Sequence, residues 1–178
     1  MGHLAIAISL KSGEPRAALV PLVIAAFGPD WVEAALMMPH TREGMAPYTH
    51  SIPAVMLGAV IASGAYALIA RRPGAKQVAA AWLLHWLADL LSGRKPVIGL
   101  NPLIGLDLYH VPPAEFLLEC VVIATACYLY ARAFATTRAK RQAVVILAVV
   151  MAILQLGLNA SMSKLDGTPW NPSLALAP

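Results

Sequence analysis

The sequence predicts an all-α, polytopic helical membrane protein of about five transmembrane helices, with a short N-terminal helix and an apolar outer loop. Three observations carry this reading. Of 178 residues, 59% are hydrophobic and 12% are charged, against roughly 45–50% and about 25% in an ordinary globular domain. A bilayer-spanning helix needs about 20 mostly apolar residues, and five stretches come close to that length. The cations stand in short groups beside those stretches, so the net charge of +4 reads as membrane topology and excludes a nucleic-acid partner.

Met1 to Leu10 is apolar for too short a distance to span, lacks a basic leader, and is followed by Lys11-Ser12-Gly13-Glu14-Pro15 without a cleavage pattern. It is expected to be a short helix and not a signal peptide. The first span is expected over Arg16 to Met38, with Pro15 and Pro21 near its start, where proline is best tolerated. The second, Ser51 to Ala70, is built from small and apolar residues and stops at Arg71-Arg72-Pro73-Gly74. The third runs from Ala75 to Leu91 and ends at Ser92-Gly93-Arg94-Lys95-Pro96.

Between Gly93 and Pro113 the chain is rich in Gly and Pro yet apolar. A solvated linker would be more polar, so this loop is expected to fold back over the helix ends or dip into the interface. The fourth span is Pro113 to Phe134 and the fifth Ala143 to Asn159. A single transmembrane domain is thus expected over residues 1–163, with an extended C-terminal tail over 164–178. Cys120 and Cys127 lie in one apolar run, about 10 Å apart along a helix axis, too far to bridge.

Lys and Arg place the helices. Lys11 and Arg16, then Arg71, Arg72 and Lys76, then Arg132, Arg138, Lys140 and Arg141 occupy three connections that share one side if the helices alternate. The positive-inside rule makes that side cytoplasmic, with the N-terminus in and the C-terminus out. A bacterial inner membrane is the expected location.

Ionisable residues inside a span are costly, and each is a functional hypothesis by default. Asp30 and Glu33 stand at i, i+3, and His85 and Asp89 at i, i+4, so each pair shares a helix face. Counting 1.5 Å per residue, Asp30 lies about 12 Å and His85 about 10 Å from helix ends that face the same, outer side. His40, His50 and His110 lie in or beside outer connections. Imidazole and carboxylate donors form a normal shell for zinc, or for manganese or iron where oxygen dominates. Metal-assisted hydrolysis is the reaction class such a site implies. The expected metal ligands are Asp30, Glu33, His50, His85 and Asp89, with Glu33, His50 and Asp89 in catalytic roles and Glu33 as ligand or general base.

Met1-Gly2-His3-Leu4, Gly28-Pro29-Asp30, Tyr48-Thr49-His50-Ser51 and His85-Trp86-Leu87-Ala88-Asp89-Leu90-Leu91 occur in this order. In these residues the chain resembles the YdjM-like membrane-bound metal-dependent hydrolases over roughly its first 110 positions. The resemblance implies that Asp30, His50, His85 and Asp89 are characteristic polar positions, with His3 a further candidate. Where that family usually has a second aspartate, this chain has Val32, followed by Glu33.

Plainer readings stand beside these. His85 and Asp89 can be a hydrogen-bonded pair tying helices together. Ser51 or Thr49 can be a helix cap, and His3 and His110 interface histidines. Trp31, Tyr48, Trp82 and Trp86 read as packing or interfacial anchors. A hydrolase of an amphiphilic, phosphoester or lipid substrate is the first functional expectation, with membrane lipid as its surroundings. A proton or divalent-cation transporter using the same residues is the alternative, and a structural or assembly membrane protein the third.

Overall fold

The computed structural model describes residues 1–37, 46–99 and 101–165. It contains α1 (Gly2–Gly13), α2 (Leu19–Ala26), α3 (Gly28–Met37), α4 (Ala46–Thr49), α5 (Ile52–Ala70), α6 (Ala75–Ser92), α7 (Pro112–Phe134) and α8 (Arg138–Leu165). A hairpin of β1 (Lys95–Ile98) and β2 (Asn101–Ile104) and a 3-10 turn at Leu108–His110 separate α6 from α7. Helix dominates, as the composition predicts.

Three helices are long and apolar enough to cross a membrane: α5, α7 and α8 over Arg138–Ala160. Counted as one bent pair, α2 and α3 make a fourth. The single first helix expected from Arg16 to Met38 is thus two, meeting at 56°. The cause is local. Pro29 has no N–H to give the Ala25 carbonyl one turn back, and proline breaks a helix interior for that reason. Helix α6, expected as a span, is not among the helices that are long and apolar enough. It has 18 residues, and Lys76, Gln77, His85 and Asp89 dilute its apolar character.

The outward surfaces of the spans need a bilayer. Leu68 and Ile69 on α5 are 78% and 82% exposed, and Val145 and Ile146 on α8 are both 63% exposed. Contiguous apolar surface of this kind marks an interaction with another apolar phase.

Short α1 sits at the centre. Ala5 and Ile8 pack against Ile123, Ala126 and Cys127 of α7 and Met151 of α8. On its other side Ala7 packs with Leu22, Ala25 and Ala26 of α2, Tyr66 of α5, and Val78 and Ala81 of α6. Small residues dominate both groups, which lets helix backbones approach closely without a hydrophobic driving force. The two cysteines are free, Cys127 buried and Cys120 half-buried, as their spacing requires.

Trp82 of α6 is wedged between two glycines. A Cβ on Gly28 would lie 2.2 Å from its Cε3, and one on Gly58 2.4 Å from its Cε2. Only glycine fits at either position.

The loop after α6 departs from the all-α expectation. Lys95 pairs with Ile104 and Ile98 with Asn101 in an antiparallel register. The Leu106 N–H donates to the Leu90 carbonyl at 2.8 Å. Gly105, at φ +146°, leaves only 2.0 Å between its Cβ position and the Gly93 carbonyl oxygen. The hairpin is therefore fastened onto the end of α6. Helix α8 starts at Arg138, ahead of the expected Ala143, because the Thr137 hydroxyl accepts the Lys140 N–H at 3.3 Å and caps it. It runs on to Leu165, two residues past the domain end placed at 163, while the rest of the tail, 166–178, lies outside the described residues.

Candidate metal centre

Three separate segments bring Asp30, His50, His85 and Asp89 to one point. Asp30 stands in the first turn of α3, where the helix dipole favours a carboxylate. His50 lies in the turn between α4 and α5, held by the Trp86 indole N–H, which donates to its carbonyl at 2.6 Å. His85 and Asp89 project from one face of α6. One donor atom from each of the four lies within 4.8 Å of the others, so the group can hold a metal ion. His50, His85 and Asp89 are buried, while the Asp30 side chain is 50% exposed.

The tautomers point the same way. His85 Nδ1 lies 2.8 Å from the Ala26 carbonyl, which can only accept, so Nδ1 carries the hydrogen and Nε2 of a neutral ring offers a lone pair. The Ala26 carbonyl is available because the chain bends at Phe27. His50 Nδ1 lies 3.0 Å from Glu33 Oε2 and 3.0 Å from Thr49 Oγ1. Donation to the carboxylate likewise turns His50 Nε2 into an acceptor. The two Nε2 atoms face each other at 3.2 Å. Fixing the far nitrogen of a ligating imidazole through a carbonyl or carboxylate is the usual support around a metal.

The distances fit one ion. Bonds of about 2.0–2.1 Å in a tetrahedron place donors about 3.3–3.4 Å apart. His50 Nε2 is 3.4 Å from Asp30 Oδ1 and 3.3 Å from Asp89 Oδ2. His85 Nε2 is 3.4 Å from each of the same two oxygens. A proton on either Nε2 also relieves the opposed lone pairs. Burial works against the His50 imidazolium, but hydrogen bonds to Asp30 and Asp89 outweigh it and hold the pKa above its ordinary value.

Among the expected site residues, Glu33 stands one step out, on the far nitrogen of His50 rather than in the four-donor group. Thr49 bridges the two, its hydroxyl 3.4 Å from Glu33 Oε2. Ser51 precedes α5 at the cap position, but its hydroxyl donates back to the Tyr48 carbonyl at 2.8 Å and caps nothing. His110 pairs with Asp107 at 3.5 Å, as does Arg94 at 3.4 Å, in a surface group. His40 lies outside the described residues.

Two further residues belong to the site, one of them, His3, already a candidate through the resemblance. His3 Nε2 lies 3.2 Å from Asp89 Oδ1, and its ring centroid is 4.0 Å from that of His85. Lys95, read only as a marker of topology, places Nζ 2.7 Å from Asp89 Oδ2. The hairpin delivers it there, and no periodicity in the sequence announces that pairing.

A second polar group lies between α7 and α8. The Gln155 amide donates to Glu115 Oε1 at 3.4 Å and to Asn159 Oδ1 at 2.7 Å, and Asn159 donates to Glu115 Oε2. One turn along α7, Glu119 Oε2 accepts the Gly2 N–H at 2.5 Å. Glu115 and Gln155 are buried.

Fold and site together define a helical membrane protein with a four-donor centre able to hold a metal ion. Compared with protein families, curated proteins and solved structures, the chain matches none.

Proposed function

We propose that this protein is a membrane-embedded metal-dependent hydrolase, its divalent ion, zinc first, held by Asp30, His50, His85 and Asp89. One observation carries the reading: five donor-to-donor distances of 3.2–3.4 Å among two Nε2 atoms and two carboxylate oxygens, with both far nitrogens tied to acceptors. Two histidines with two oxygen donors suit zinc, with manganese or iron as alternatives. Such an ion would supply Lewis acidity toward a substrate oxygen and toward water.

Asp30, His50, His85 and Asp89 would hold the ion, and catalysis would need a coordination position left open to water or substrate. Asp30 is the one exposed member, and substrate enters on its side, beside the exposed Trp31. Glu33 makes His50 more basic and orients it, and Lys95 balances Asp89. An exposed carboxylate beside an exposed aromatic ring suits an amphiphile, and a phosphoester lipid is the substrate class we assign. The resemblance to the YdjM-like hydrolases at Asp30, His50, His85 and Asp89 supports the same activity. In this reading α6 completes a set of five spans in a bacterial inner membrane. Following the basic connections, the end of α1 at Lys11 is cytoplasmic and the site faces outward; Met1, on Glu119 and Gln155, and His3, on Asp89, then lie at the site's pole, which corrects the expected cytoplasmic N-terminus.

The test is elemental analysis of the purified wild type beside His85→Ala and Asp89→Ala, without chelators. One equivalent of metal in the wild type and its loss in both variants is expected, followed by turnover on phosphoester or lipid substrates. A wild type without stoichiometric metal overturns the proposal.

A further inference from the structure

At the opposite pole of α7 from Glu115, the chain turns into α8 through Ala135–Thr137. From Cys120 to Leu165 there is no Asp or Glu, yet Arg132, Arg138, Lys140, Arg141 and Lys164 fall in that stretch. The first turn of α8 carries Arg138, Lys140 and Arg141 and no acid. Helix N-termini bear partial positive charge, so cations there repel the dipole and one another. Such a concentration asks for an anion from outside the chain.

A cavity of about 520 Å³ opens at this place, lined by Tyr128, Ala131, Arg132, Ala135, Thr136 and Arg141. The Arg132 guanidinium lies over the Tyr128 ring, 5.9 Å from its centroid. Arg141 donates from Nε to the Ala135 carbonyl at 3.3 Å. Both side chains are thus positioned by neutral partners, and neither is paired with a carboxylate among the described residues. The remaining guanidinium N–H groups match the oxygens of a phosphate. Beside the cavity, Leu129 on α7 and Val145 and Ile146 on α8 expose apolar side chains.

We propose that this cavity binds the phosphodiester headgroup of an anionic glycerophospholipid between Arg132 and Arg141, with the acyl chains along the outer faces of α7 and α8. Basic pockets at the ends of spanning helices take such headgroups. A zwitterionic headgroup brings its own cation against the arginines and binds less well. The site is independent of the metal centre, so neither proposal falls with the other.

The test is lipid binding to the full chain in detergent, read by native mass spectrometry, with phosphatidylglycerol, phosphatidylcholine and sn-glycerol 3-phosphate as probes. Wild type is expected to retain phosphatidylglycerol over phosphatidylcholine, and Arg132→Gln with Arg141→Gln to weaken that retention about tenfold. Arg138→Gln with Lys140→Gln removes the same charge from the same turn outside the cavity and is expected to leave retention near wild type. An equal loss in that control overturns the site in favour of diffuse surface attraction. Glycerol phosphate binding as well as the lipid overturns the lipid assignment. If the first double variant does not fold, Arg132→Lys with Arg141→Lys replaces it, expected to bind more weakly than wild type. Wild-type indifference between the two lipids overturns the proposal without any variant.

Discussion

Among the described residues two polar clusters lie largely away from solvent, one around α6 and one between α7 and α8, and they are built differently. Between α7 and α8, the amides of Gln155 and Asn159 donate to Glu115, that of Gln155 also to Asn159, and the Met1 ammonium donates to Gln155 Oε1 and pairs with Glu119. Around α6, Asp30, His50, His85 and Asp89 present acceptors to one another across 3.2–3.4 Å, while their donors are spent outward on Ala26 and Glu33. The first group has a donor for each of these acceptors, the Met1 ammonium among them. In the second, Lys95 Nζ sits on Asp89 Oδ2, and the facing Nε2 atoms of His50 and His85 still call for a cation between them, a metal or a proton. Burial and polarity alone therefore do not identify a site in a membrane protein; the direction of the lone pairs does.

Four experiments sharpen or break that contrast. The largest effect is expected from His85→Ala, which should abolish stoichiometric metal, whereas Asn159→Ala should retain it; elemental analysis of both proteins decides, and equal metal content would erase the distinction. Glu33→Gln should lower metal affinity about 10–100-fold by loosening His50 from behind, measured by competition with a chromophoric chelator. Unchanged affinity would mean that Glu33 does not support the site.

Gln155→Ala should lower the stability of the detergent-solubilised protein by about 1 kcal/mol and leave metal affinity alone. A thermal melt beside the same chelator titration separates the two groups, and a loss of metal here would join them.

The smallest effect concerns pH. His50 has a raised pKa in the folded, metal-free protein, so folding takes up its proton. That contribution is whole below the ordinary value of 6.5 and disappears as pH rises through the raised value. The metal-free protein should melt higher at the acid end of this window, while metal affinity falls there because the ion must displace the proton. A flat melting profile without metal would count against a protonated His50.

Much of the α6 site was legible in the sequence. The i, i+4 spacing of His85 and Asp89 is enough to place both on one face, and counting along each helix put Asp30 at a similar depth. The same spacing joins Glu115 to Glu119 and Gln155 to Asn159, a group the sequence reading passes over: Gln155 and Asn159 carry no charge to mark them, and the charged Glu115 and Glu119, inside the fourth span, meet their partners only across helices. The bend at Phe27 runs against the single span expected from Arg16 to Met38, although Gly28-Pro29 carries its local cause, a missing N–H. Its consequence, a carbonyl turned toward His85, is tertiary. Lys95 and His3 reach Asp89 only once the hairpin and α1 have docked, and no local pattern encodes that. Helix α6 reads as a span by position more than by composition, because the polar residues that make the site also lower its apolar character.

The Trp82 indole, one turn from His85, fills the gap between Gly28 and Gly58. Gly28 in turn lies two residues before Asp30. One flat ring therefore acts as a gauge block, setting how far α3 and α5 stand from the helix that bears half of the donors. A methyl group added to either glycine would be transmitted to Asp30 or His50 as a displacement, and a smaller residue at 82 would let both close in. Positions 28, 58 and 82 can change only together, so the tolerance of the centre resides in three residues that carry no donor at all.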